Sequence, residues 1–184
     1  MIILNNRTGI TRQGSDSINL PRLIIITAVM ALGSVVGSIY AARTAGAEYF
    51  NLSSLWGSEL FKWLVILNFA PVLSVFLSSC FGYGAVLALA SAFCRGFMFA
   101  VPLTDKVESY GLSGYYSGFT LCGILSVVAV IIMSMQAIGM SAVRRGGTHN
   151  RNNADEYAKN TFLVMVCCAA AVVFGAAMDA FLLK

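Results

Sequence analysis

Five apolar runs, each of about 20 residues or more and nearly free of charge, divide this chain. A helix needs about 20 such residues to cross the roughly 30 Å hydrocarbon core of a bilayer. The runs cover residues 23–42, 60–81, 84–101, 116–143 and 161–183. None alternates with period two, as the strands of a membrane barrel would. The pattern therefore predicts an all-α fold, a polytopic transmembrane helical bundle with five membrane-spanning helices.

Composition excludes the main alternative. Of the 184 residues, 58% are hydrophobic and only 11% charged, against about 25% charged in an average soluble domain. A soluble chain so poor in charge would present one large apolar patch to water. The net charge of +4 does not indicate nucleic-acid binding, because the basic residues flank the apolar runs instead of forming a stripe.

Residues 1–19 are polar and lack a helical period, and they read as a flexible cytoplasmic tail ahead of a five-helix domain over 20–184. Pro21 suits the start of the first helix. Trp63 suits an interface at the start of the second, and the third is expected to stop at Pro102. The second and third spans are separated only by Cys80-Phe81-Gly82-Tyr83-Gly84. Gly82 and Gly84 can supply positive φ for a tight turn there. A re-entrant pair that does not fully cross is the alternative at this joint. The first span is read as a retained helix and not as a cleaved signal, since its apolar run exceeds a usual signal core.

Flanking charge gives direction. Arg7, Arg12 and Arg22 precede the first span, and Arg144, Arg145, Arg151 and Lys159 lie between the fourth and fifth. With five spans these regions share one side. The other side holds Arg43, Lys62, Lys106 and Lys184 diluted by Glu48, Glu59, Asp105 and Glu108. The positive-inside rule then places the amino terminus in the cytoplasm and the carboxy terminus outside.

Two charges interrupt the apolar runs. Arg95 lies in the middle of the third span, where insertion scales assign a central Arg a cost of about 2.5–3.5 kcal/mol. Asp179 lies near the end of the fifth, at a similar depth under the expected topology. The two are therefore expected to form an intramembrane charge pair. Gly33 and Gly37 form a GxxxG face that suits close helix packing, inside the bundle or as a docking face for a partner. Pro71 is expected to kink the second span beside Asn68, while Ser126, Ser134 and Gln136 can bond between helices.

Cys80, Cys94, Cys122, Cys167 and Cys168 show no metal-ligand spacing, and the lone His149 has no second ligand nearby. No catalytic motif, metal site or cofactor box is read, so the expectation is a protein without enzymatic activity, metal or cofactor.

Taken together, these features resemble the stage II sporulation protein M family of bacterial membrane proteins. The resemblance rests on Arg95-Gly96-Phe97 in the third span and Gly111-Leu112-Ser113-Gly114 at the entry to the fourth. The small residues of Leu32 to Gly37, Asp179 late in the last helix and the span count also look similar. One departure is the fourth span, where the family often carries a proline and Leu125 to Met140 has none. The resemblance implies a non-enzymatic scaffold in the bacterial cytoplasmic membrane. Its expected role is engulfment or cell-envelope remodelling, with membrane or peptidoglycan-remodelling proteins as partners. The alternative is a small-solute transporter, or the substrate-binding membrane subunit of one, with Arg95 holding an anionic group and the Pro71 kink lining a cavity.

Overall fold

A computed structural model describes residues 16–44, 58–81, 83–110, 121–145 and 151–182. These residues form five helices: α1 Asp16–Arg43, α2 Ser58–Ser78, α3 Gly84–Tyr110, α4 Leu121–Arg145 and α5 Arg151–Leu182. Among the described residues there is no strand. Each helix contains a segment of 18 to 25 residues long and apolar enough to cross a membrane. The protein is a multi-pass helical membrane bundle.

Apolar side chains face outward as freely as inward. Leu32 (60%), Val86 (64%) and Phe174 (63%) are exposed on the outer surface, while Ile26, Val72, Val130, Met133 and Val172 are fully buried. Such a surface is stable against lipid tails, which are as apolar as leucine. Burial inside is driven by shape and hydrogen bonding more than by exclusion of water.

The helices begin and end differently from the apolar runs. Asp16 to Asn19 belong to α1 and not to the tail, of which residues 1–15 lie outside the described residues. α4 is described from Leu121, and residues 116–120 of the expected fourth span, like Gly111 and Gly114, lie outside the described residues. The expected stop at Pro102 does not occur, because α3 continues to Tyr110. A proline inside a helix deprives one carbonyl of its N–H, here that of Met98, and membrane helices tolerate this where neighbours support the chain. Two residues on, Thr104 Oγ1 donates to Ser38 Oγ of α1 at 3.2 Å and holds this part of α3 against α1.

The joint between α2 and α3 is a tight turn closed by Phe81 N–H to Ser78 O (3.1 Å) and Gly84 N–H to Phe81 O (3.0 Å). Gly84 contributes room there, and not the positive φ the sequence suggested: a Cβ would fall on the Ser78 carbonyl oxygen. Gly82 lies outside the described residues. Both flanking helices have span-length segments, Phe61–Ser78 and Gly84–Thr104.

α1 packs chiefly on α3, whereas α4 packs against each of the other four helices and chiefly on α5. The α1–α3 contact is the GxxxG face. A Cβ on Gly33 would meet the Phe93 carbonyl, one on Gly37 the Phe97 carbonyl, and one on Gly96 the Met30 carbonyl. Both backbones therefore approach to a distance that only glycine permits. The matched order of these contacts makes α1 and α3 run in the same direction. Ser34 Oγ donates across the seam to Gly96 O at 3.2 Å.

Candidate functional site

The two buried charges within the spans converge on the first turn of α4. Helices leave their first N–H groups without intrahelical acceptors, and in an apolar medium each unpaired group costs several kcal/mol. Asp179, projecting from the last turns of α5, answers this need. Its carboxylate accepts the Leu121 N–H at 2.9 Å on Oδ1 and the Cys122 N–H at 2.8 Å on Oδ2. A carboxylate is also favoured there because the N-terminus of a helix carries partial positive charge. Only 5% of Asp179 is exposed.

Arg95 reaches the same turn from α3. Its Nη2 donates to the Gly123 carbonyl at 3.0 Å and to Asn68 Oδ1 of α2 at 2.7 Å. The guanidinium carbon lies 5.8 Å from the centre of the Phe99 ring, one turn along α3, within range of a cation–π contact. Arg95 is as buried as Asp179, and its Nε is buried without a hydrogen-bond partner.

Asn68 connects these groups to α2. Its amide nitrogen donates to Leu64 O at 2.8 Å, which leaves the side-chain oxygen turned to Arg95. Its own carbonyl accepts from Ser126 Oγ of α4 at 2.8 Å. Pro71, inside α2, has no N–H for the preceding carbonyl, that of Leu67. The hydroxyl of Ser126 thus ties α4 to α2 at the carbonyl next to the one that Pro71 leaves without its N–H. Cys122 Sγ lies 3.5 Å from Val172 O and 3.9 Å from Leu64 O, consistent with a thiol acting as a weak donor between α5 and α2.

Arg95 and Asp179, expected as a direct pair, are not brought into contact. Among the described residues the ion pair formed is Lys62–Glu59, at 2.7 Å on the exposed surface. The two intramembrane charges meet instead through α4, one on a carbonyl and the other on two N–H groups. The Leu121 and Cys122 N–H groups give the carboxylate two donors, and the Gly123 carbonyl and the Asn68 amide oxygen give the guanidinium two acceptors. Gly33 and Gly37 make no part of this hydrogen-bonded cluster and are covered by α3, so their face packs inside the bundle and is not open for docking. Of the serines expected to bond between helices, Ser126 does so, whereas the buried Ser134 hydroxyl has no partner.

Asn68 as the acceptor for Arg95 was not foreseen, although its place one turn before Pro71 in an apolar run was a visible signal. The role of the α4 backbone had no side-chain signal at all. Among the described residues no group of three or more His, Cys, Asp or Glu is placed to hold a metal ion.

The fold and cluster define a multi-pass membrane protein whose intramembrane charges are engaged in joining helices. Comparison with known proteins finds no matching family, curated protein or solved structure.

Proposed function

We propose that this chain is a non-enzymatic scaffold of the bacterial cytoplasmic membrane, of the kind the stage II sporulation protein M resemblance implies. It holds envelope-remodelling proteins together through helix–helix contacts. The observation that supports this reading is the engagement of both buried charges: Arg95 and Asp179 bind groups of this chain, tying α3, α5 and α2 to the start of α4. Residues that make a rigid frame suit a protein that presents surfaces to partners. The orientation that goes with it has the amino terminus inside, from the seven basic residues Arg7, Arg12, Arg22, Arg144, Arg145, Arg151 and Lys159.

The test is affinity recovery of the tagged full chain from bacterial membranes, with co-purifying proteins quantified. Peptidoglycan-remodelling or other envelope proteins are expected with the unmodified chain, and Arg95→Ala is expected to lower its level or the complexes recovered. Unchanged level and unchanged complexes in that variant would remove the support.

One observation favours the transporter reading. The partnerless Nε of Arg95 is a donor at the α4 N-terminus, an arrangement suited to an anionic group. A metabolite panel scored by thermal shift separates the two: a shift lost in Arg95→Ala shows ligand binding at this residue and favours transport, and none leaves the scaffold ahead.

A further inference from the structure

The tight α1–α3 seam leaves a space beside it. Between α1, α3 and α4 lies a groove of about 360 Å³. Thr27, Ala31 and Ser34 form one wall, Ile124 and Val128 the other, and Gly96 the floor. Thr27, Ala31, Ile124 and Val128 are exposed, so the groove opens sideways, whereas Gly96 is buried. All of these residues lie within the membrane-spanning segments. The opening therefore faces hydrocarbon.

We propose that this groove is a binding site for the acyl chain of a membrane lipid. Three observations select that occupant. First, its hydroxyls are already satisfied: Thr27 Oγ1 donates to Leu23 O (2.9 Å), and Ser34 Oγ to Met30 O (3.1 Å) and Gly96 O (3.2 Å). An occupant finds no unpaired polar group on these side chains, which suits a hydrocarbon. Second, the size fits: an apolar cavity of roughly 150 Å³ already binds benzene, and this space is more than twice as large. Third, the length argues against a partner helix. Thr27 to Ser34 is two turns of α1, about 10 Å, whereas a spanning helix runs about 30 Å and would need a groove of that extent.

The depth fixes which part of the lipid is held. Thr27 to Ser34 occupies the middle of the Leu20–Arg43 segment. The groove thus receives the distal part of a chain and selects for length and shape, not for headgroup. Phe99 lines the groove and also lies under the Arg95 guanidinium, so an inserted chain lies against the ring that packs on the polar cluster.

The test uses the full chain in phosphatidylethanolamine–phosphatidylglycerol vesicles carrying a phospholipid with a diazirine near the end of one acyl chain. After photolysis, labelled positions are located by mass spectrometry. Label is expected at Thr27, Ala31, Ile124 and Val128 at least threefold above that on Val35, Val36 and Ile39, which face outward from α1. Val128→Trp, at the exposed mouth, is expected to lower labelling of Thr27 and Ala31 to the Val35 level, whereas Val36→Trp leaves it unchanged. Even labelling around α1, or groove labelling that survives Val128→Trp, would overturn the proposal. Disulfide-linked dimers formed through Ala31→Cys, with no lipid label in the groove, would overturn it in favour of a second copy of the chain.

Discussion

Arg95 and Asp179 hold the same helical turn without touching each other. Arg95 grips it by the carbonyl of Gly123, and Asp179 by the N–H groups of Leu121 and Cys122. Each charge is matched to the backbone dipole it meets, so exchanging them reverses both matches. The double variant Arg95→Asp with Asp179→Arg is expected to be no more stable than the weaker single variant. A directly paired bundle would instead recover on double reversal. Thermal unfolding of the three purified variants in detergent distinguishes the two cases.

Asp179 acts as a cap supplied from another helix. Loss of an N-cap acceptor costs about 0.5–2 kcal/mol in water-soluble helices, and the buried setting here places Asp179→Ala at or above the upper end. Asp179→Asn keeps one acceptor oxygen and is expected to lose about half as much. Unfolding titrations in mixed micelles give both values, and an Asp179→Asn variant as stable as the parent chain would show that the second carboxylate oxygen contributes nothing.

Asn68 and Arg95 form a unit in which the partner matters more than the charge. Removing Asn68 Oδ1 leaves a buried donor without its acceptor, at a cost of about 1–3 kcal/mol. Asn68→Leu is accordingly expected to destabilise more in the presence of Arg95 than in an Arg95→Met background. The double-mutant cycle should return a coupling of about 1–2 kcal/mol. Additive losses would mean that Arg95 is held by the Gly123 carbonyl alone.

The extent to which this could be read beforehand depended on what kind of group carried each contact. The five helices were legible because the apolar runs match the bilayer thickness, and Arg95 and Asp179 stood out because charge is costly there. Their partners were not legible. The N–H groups of Leu121 and Cys122 belong to the backbone, and no residue type announces that they will lie against Asp179. Pro102 misled because a proline removes one backbone bond without having to end the helix, and α3 continues past it to Tyr110. The GxxxG pattern declared close packing but not its partner, since Phe93 and Phe97 contribute their main chain and not their side chains.

That last contact yields the sharpest steric expectation. On Gly96 a Cβ would collide with the Met30 carbonyl, a backbone atom with no rotamer to relieve it, and the Ser34 hydroxyl lies within 3.1 Å of the same point. Gly96→Ala must therefore move α1 away from α3, and overpacking of this kind costs about 1–3 kcal/mol. The displacement also lengthens the Ser34 to Gly96 and Thr104 to Ser38 bonds, which are already at 3.2 Å. A Ser38→Cys, Thr104→Cys pair reports on this directly. It is expected to cross-link readily under mild oxidation in the parent chain, and several-fold more slowly when Gly96→Ala is added. Gly139→Ala, which disturbs the Tyr157 contact between α4 and α5, should leave that cross-link rate unchanged. If both glycine variants slowed it alike, the effect would be general loosening of the bundle and not separation of α1 from α3.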